Sequence, residues 1–335
     1  MTPLVSILIP AYNAQTWIAD TIQSALAQTW PRKEIIIVDD GSTDATLSII
    51  REYESSMLKF YHQKNGGGCR ARNRALEESQ GDYIQWLDAD DLLAPDKIER
   101  QLSAAERGRD PGVLFTSAWG RFYYRPRKAK FQPTPLWQDL EAIDWLVLLL
   151  ANPWMMPNSA WLVSRQLTDK AGPWDERLVI DQDGEYFCRV VSRSRYVKFV
   201  SESRCYYRMV NPSSVSRSTS RKALESLCLS VDQAISHVLA RENNERTRMA
   251  CVSRLNMTAS TLRVNAPDLA DRLCLRIAEL GGRVVPESTS RKYALVKKVI
   301  GDRRARHLKE VVWRTQCRIS CNSDRLLARL FGTNL

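Results

Sequence analysis

The sequence predicts an α/β fold, a mostly parallel sheet covered by helices on both faces and then a helical region. Three observations predict it. Short apolar strands alternate with amphipathic helices through roughly the first 116 residues, the pattern of βα units. Polar groups gather at the ends of three of those strands, where open α/β sheets place their ligand sites. From Arg221 onward the periodicity is helical, with few strand signals.

Each element follows from its residues. Val5-Ser-Ile-Leu-Ile, closed by Pro10, reads as a buried strand, and Ala11-Tyr12-Asn13 as a turn. Trp17, Ile18, Ile22, Ala25 and Leu26 mark one face of a helix. Glu34 to Val38 is a second apolar strand, running into Asp39-Asp40-Gly41-Ser42. Asp44 is placed to cap the helix carrying Leu47, Ile49, Ile50 and Tyr53. Lys59–His62 is a third strand, Asn65–Gly68 a flexible loop and Ala71–Glu78 a helix. Tyr83–Leu87 is the fourth strand, Pro95 suits a first helical turn, and Val113–Thr116 is the fifth strand. Beyond it, Arg121–Phe131 reads as a hairpin or loop, Glu141–Leu150 and Asp181–Val191 as helices, and Ser159–Val163 and Tyr196–Val200 as strands. A Ser-rich stretch at 212–222 is the best domain boundary. It divides a catalytic domain (1–215, with halves of about 1–110 and 111–215) from a helical, basic region (216–335).

Composition narrows the class. A hydrophobic content of 44% is ordinary for a soluble globular chain. No apolar run reaches the ~18 residues of a membrane span, and the amino terminus lacks a signal-peptide pattern. The 8 cysteines show no zinc spacing, so free thiols in the cytoplasm are the economical expectation. Of the net +11, a balance of +9 lies beyond residue 280, with 13 Lys/Arg against 4 Asp/Glu.

The chemistry concentrates after the fourth strand, in Asp88-Ala-Asp90-Asp91. Two carboxylates at a sheet edge suit a hard divalent cation, Mg²⁺ or Mn²⁺, completed by substrate phosphates. A polar turn capping the next helix explains the same residues. Pro10-Ala-Tyr-Asn13 and Asp39-Asp40-Gly-Ser42 end neighbouring strands on the same edge. Asp40 can accept from a base imide, and the glycine loop and Arg72 can meet phosphates.

These segments, with Asn65-Gly-Gly-Gly, Ala71-Arg-Asn73, Gly172-Pro-Trp-Asp-Glu176 and Asp181-Gln-Asp-Gly-Glu185, resemble the family 2 glycosyltransferases of the GT-A fold, whose nucleotide-binding sheet is Rossmann-like. The resemblance covers about residues 4–215. It implies an inverting transferase that uses a nucleotide-diphosphate sugar, with uracil the usual base, and a divalent cation, Mn²⁺ or Mg²⁺. By position, Pro10, Ala11, Tyr12 and Asp40 match nucleotide-binding residues and Arg72 a phosphate-side residue. Asp88 and Asp90 match the metal motif, and Asp183 matches the general base. Gln182 departs from the Glu usual before that base. Arg208 matches a basic residue able to reach the diphosphate, against a surface salt bridge. For Asp183 the competing reading is a surface acid paired with Arg189 or Arg193. Trp154, Trp161 and Trp174 either line the acceptor side, where sugars stack on aromatic faces, or belong to the core. The Gln-x-x-Arg-Trp motif of processive members is absent.

Two further enzyme-level readings compete: a nucleotidyltransferase-like enzyme, and an inactive homologue acting as a scaffold. The first lacks a Gly-rich basic signature after strand one, and the second leaves the retained metal and base positions unexplained. Nucleic acid is not an expected partner, because the positive charge sits in the tail and the site is acidic. The expected partners are the donor sugar nucleotide and a glycan or lipid-linked acceptor. The tail interleaves Lys/Arg with apolar residues at three- and four-residue steps from Arg291 to Phe331. Such helices either lie at the inner face of the membrane as a peripheral contact or pack on the catalytic domain.

Overall fold

The computed structural model describes residues 2–105, 110–209, 218–285, 298–299 and 301–331. The first half follows the βα alternation: β1 (Val5–Ala11), α1 (Ile18–Leu26), β2 (Lys33–Asp39), α2 (Thr46–Arg51), β3 (Leu58–His62), α3 (Gly68–Glu77) and β4 (Tyr83–Trp86). After the acidic motif come β5 (Leu92–Leu93), α4 (Lys97–Ser103), β6 (Val113–Phe122), β7 (Lys130–Phe131), β8 (Leu140–Glu141) and α5 (Ala142–Ala151). The chain continues through β9 (Val163–Ser164), α6 (Arg165–Ala171), α7 (Gln182–Arg193) and β10 (Tyr196–Arg208). The helical region holds α8 (Arg221–Arg241), α9 (Glu245–Leu262), α10 (Pro267–Glu279) and a last helix, Asp302–Phe331.

Two sheets form the core. The first has the order β3-β2-β1-β4-β9; its first four strands are parallel and β9 runs against β4. Ile7, Leu8 and Ile9 of β1 and Ile35, Ile36 and Ile37 of β2 are fully buried, as continuous apolar runs require when both faces are covered. Ala11 pairs with Asp39 and Leu8 with Trp86, so β1, β2 and β4 deliver their polar ends to one edge. The second sheet has the order β5-β10-β6-β7, with β8 also on β10. Its antiparallel pair Tyr206–Leu92 brings the end of β10 beside the acidic motif.

Several expectations are refined. Asp44 lies one residue before the N-cap position, which Ala45 occupies without a side-chain cap, and its Oδ1 accepts from the N–H of Thr46, the first residue of α2, at 2.9 Å. Arg121–Phe131 is a hairpin, with Gly120 and Arg121 paired to Phe131 and Lys130. Ser159–Val163 is not a strand. Asn158–Ala160 is a 3-10 turn, and Leu162 then exchanges two backbone hydrogen bonds with Phe115, linking the sheets before β9 begins. β10 continues well past Val200, because a bulge between Val200 and Arg204 absorbs the polar Ser-Glu-Ser stretch and restores pairing with β6.

The helical region shares the core. α8 packs on α7, and α9 packs on α5 and α10. Leu224, Cys228, Val231, Ile235 and Val238 of α8 are buried in the same apolar cluster as the first sheet. Among the described residues all cysteines are free thiols, and no helix is long and apolar enough to cross a membrane. Most of the expected boundary at 212–222, and the tail positions at 291–297 and 300, lie outside the described residues, as does the Trp313 side chain.

Candidate active site

The strand ends assemble the nucleotide side. Asn13 takes a positive φ of 47° at the turn after β1 and links it to β2: its N–H donates to Ser42 Oγ at 2.9 Å, and its Oδ1 accepts from Thr43 N–H at 2.9 Å. Pro10 and Ala11 lie at the strand end, and Tyr12 projects half-exposed beside them. Asp39 is fully buried against His62 Nδ1 at 2.7 Å. Asp40 is buried too, and its carboxylate accepts from Gln63 Nε2 (2.7 Å), Gly66 N–H (2.9 Å) and Gly67 N–H (2.8 Å). The residue expected to meet the base therefore also fixes the glycine loop. Gly41 is required there: its φ is 74°, and a Cβ would lie 2.7 Å from Asn65 N.

The acidic motif sits at the next strand end. Asp88 accepts from Arg72 Nη2 at 2.7 Å and from Asn158 Nδ2 at 3.0 and 2.8 Å. Asp91 is buried, accepting from Arg208 N–H at 2.9 Å and Ser159 Oγ at 3.3 Å. Burial, then the charges of Asp90 and Asp88, push the Asp91 carboxyl well above the usual carboxylate range. Three carboxylates crowded this way form a field that a cation relieves, and Asp88 and Asp90 supply hard oxygen donors. The residues thus fit a divalent ion held by two carboxylates and completed by diphosphate oxygens. Among the described residues no group of three or more His, Cys, Asp or Glu could hold a metal alone.

Arg208 is buried and spans the motif. Its Nε donates to the Asp90 carbonyl at 2.7 Å and its Nη2 to Asp20 at 3.1 Å, while the guanidinium lies 4.2 Å from the Trp17 ring centre and 4.6 Å from that of Phe122. In this structure it secures the acidic loop.

Arg72 joins the two halves. Beyond Asp88 it donates to Gln182 Oε1 at 2.8 Å and stacks 4.6 Å over Trp174. Gln182 has a local reason to be an amide. Its Nε2 donates to the Leu178 and Val179 carbonyls at 3.0 and 3.2 Å, which an ionised Glu cannot do. Asp183 follows in the first turn of α7, partly buried. Burial, then the charges of Asp181 and Asp88, push its carboxyl up to about 6. Arg189 pairs with Glu185 at 2.7 Å, not with Asp183. A carboxylate with a raised pKa in a cleft is suited to proton transfer near neutral pH.

Sequence reasoning missed Asn158 and Asp20. Asn158 lies in a turn with no motif, and nothing local marks it. Trp174 and Trp161 are buried; Trp174 stacks on Tyr186 at 3.9 Å and Trp161 on Phe187 at 5.0 Å. Trp161 and Trp154 also line a cavity that includes Asp183.

The fold, with its polar strand ends gathered at one edge, is of the GT-A kind. Residues 6–145 match the model described as Glycosyl transferase family 2, and this region of the chain is a family 2 glycosyltransferase domain. A Bacillus subtilis (strain 168) protein, TuaG, which carries the provisional name of a teichuronic acid biosynthesis glycosyltransferase, is 48% identical over 103 residues, 30% of this chain and 41% of that one. The chain spans between 17% and 57% of the length of this and other curated relatives. Among solved structures, Staphylococcus aureus TarS 1–349 in complex with UDP-GlcNAc superposes with a TM-score of 0.66 at 17% identity, over 83% of this chain and 81% of that one. The mannosyltransferase PcManGT of Pyrobaculum calidifontis, in complex with GDP-Man and Mn²⁺, gives 0.54 at 17% identity, over 100% and 89%. Both share the fold.

Proposed function

We propose that this chain is an inverting glycosyltransferase that moves a sugar from a nucleotide-diphosphate donor, with UDP the favoured nucleotide, to a hydroxyl of a glycan or lipid-linked acceptor. The observation that carries this reading is the bridge made by Arg72. One guanidinium bonds Asp88 at 2.7 Å and Gln182 at 2.8 Å, holding the acidic motif and the residue before Asp183 in one site.

The geometry supports the following roles. Asp40 accepts from the base imide while it retains the glycine loop. Pro10, Ala11 and Tyr12 line the nucleotide, and Arg72 balances charge at the diphosphate. Arg208 holds the acidic loop in place beneath it. Asp183 takes the proton of the acceptor hydroxyl as that oxygen attacks the anomeric carbon. One carboxylate acting as base suits one displacement, which inverts the anomeric centre. Asp88 and Asp90 would hold Mn²⁺ or Mg²⁺, which when bound offsets the negative charge growing on the leaving diphosphate. The UDP-GlcNAc held by TarS and the Mn²⁺ held by PcManGT support both components.

Attachment at an anionic, cytoplasmic membrane face belongs to this reading. On the last helix, Leu308, Val311, Val312, Ile319, Leu326 and Leu330 are exposed and recur at helical steps on one face. Arg318, Arg325 and Arg329 flank that stripe and are exposed. The opposite face is docked: Asp324 accepts from Tyr124 N–H at 2.8 Å and Arg125 N–H at 3.1 Å. An apolar stripe beside a basic row is the pattern of an interfacial helix.

The test of the site is thermal shift with UDP-sugars, with and without Mn²⁺. Wild type is expected to gain stability from UDP-GlcNAc or UDP-glucose more strongly with Mn²⁺, and Asp90→Asn to lose the Mn²⁺-dependent increment along with transfer. No shift with any nucleotide sugar, or full transfer in excess chelator, sinks the reading.

A further inference from the structure

Beside Asp183 lies a cavity of about 130 Å³. Its walls are apolar and come from four places: Trp145 of α5, Trp154 and Trp161 of the segment after it, Phe187 of α7, and Val231 and Ala234 of α8. Among the described residues its charged lining is Asp181, Asp183 and Arg254. Only Asp183 has a role in the reaction as set out above. Two features of this arrangement matter: the helical region builds part of the wall, and the wall adjoins the base.

The chain around the base is held by that region. Asp181, immediately before α7, has a φ of 55°, one of two positive values at non-glycine residues among those described. A left-handed Asp is strained and persists only when its surroundings fix it. Ser230 Oγ of α8 hydrogen-bonds Asp181, its one hydroxyl proton shared between the carbonyl at 2.9 Å and Oδ2 at 2.8 Å. Arg254 of α9 adds an ion pair to the same oxygen at 3.2 Å. The carboxylate folds back over Gly184, where a Cβ would lie 2.5 Å from Asp181 Oδ1. Helices α8 and α9 thereby set where α7 starts, and with it where Asp183 points.

The size and lining of the cavity indicate what enters it. An apolar cavity of about 150 Å³ holds one benzene ring, so this one has room for a single six-membered ring or a group of that size. Anionic ligands are disfavoured, because Arg254, the one cation among the described lining residues, is committed to Asp181 and two carboxylates stand beside it.

We infer that this cavity is an acceptor subsite, completed by α8 and α9, which seats one apolar group of ring size next to the hydroxyl presented to Asp183. The inference rests on Asp183 being the base, and it narrows the acceptor to one whose reactive hydroxyl is flanked by an apolar group.

The test compares phenyl and methyl β-D-glucosides as probe acceptors on the full-length protein. Binding is read by intrinsic tryptophan fluorescence, and transfer is read with UDP-glucose and UDP-GlcNAc in Mn²⁺. The phenyl glucoside is expected to bind at least about tenfold more tightly, the scale on which an apolar pocket distinguishes one small group. Ala234→Phe and Val231→Phe, which fill the cavity from two positions, are expected to abolish that preference while the UDP-sugar thermal shift stays at the wild-type value. That shift also reports whether each variant is folded. Equal binding of the two glucosides by wild type, or a preference that survives in a folded, filled variant, overturns the subsite. Loss of transfer from every donor to every acceptor, with the phenyl preference in binding intact, counts instead against the transferase reading.

Discussion

At the scale of single residues, the site depends on carboxylates whose surroundings differ. Asp183 is partly buried and faces Asp181 and Asp88, so its carboxyl is pushed up to about 6. In its proposed role as base, Asp183 must be ionised to act. Transfer is therefore expected to fall on the acid side as pH drops through about 6, and Asp183→Asn is expected to remove that limb while lowering turnover by roughly 10²–10⁴. The same shift has a stability consequence. Because its folded-state pKa is raised, the native protein holds this proton more tightly than the unfolded chain, so the group's contribution to stability declines as pH rises through the interval between the two values and stays low above it. Asp183→Asn removes an ionised, half-desolvated group, and its melting temperature at pH 7.5 is expected to equal or exceed that of wild type. A variant that melts lower, or loses donor binding in step with turnover, marks Asp183 as structural. The carboxylates were legible in the sequence because their spacing from strand ends is short-range. Asn158 and Asp20 were not, because each reaches its partner, Asp88 or Arg208, across 70 or more positions of chain.

At the scale of elements, strands and helices were legible wherever apolar periodicity was uninterrupted, as in β1, β2 and β4. The reading failed where tertiary pairing overrode a local signal. Polar residues 201–203 look like the end of a strand, yet the bulge carries β10 on to Arg208 and to the acidic motif. The last helix poses the question of what covers its exposed stripe, in which Ile319 and Leu330 are 62% and 67% exposed. If an anionic membrane covers it, the protein is expected to sediment with vesicles containing anionic lipid at low salt. It should release as salt screens the arginines, and fail to bind when Ile319, Leu326 and Leu330 are all changed to Ser. Protein that remains in the supernatant at low salt refutes membrane attachment.

At the scale of the molecule, helices beyond residue 215 pack on the elements that carry the candidate site. α8 covers α7, whose Phe187, Cys188, Val190 and Val191 are buried, and Ser230 and Arg254 hold Asp181. A chain ending at residue 215 would expose this surface to water. It is expected to aggregate, or to bind a hydrophobic dye and melt without a cooperative transition, as scanning calorimetry and solubility would register. A soluble fragment with a sharp transition and an undiminished UDP-sugar thermal shift would show instead that the helical region is an independent attachment.

By itself the sequence determined the α/β alternation and the strand-edge convergence of Asp40, Asp88 and Asp90, since each is written in a run of a few residues with a fixed period or spacing, whereas Asp183 was marked by the resemblance of Asp181-Gln-Asp-Gly-Glu185 alone. Only the tertiary structure decided that Arg72 ties Asp88 to Gln182, that Asp40 also holds the glycine loop, and that α8 and α9 close the cavity beside the base. These contacts join segments far apart in the chain. Their partners are selected by packing and by the need to satisfy buried polar groups, and no local pattern encodes either.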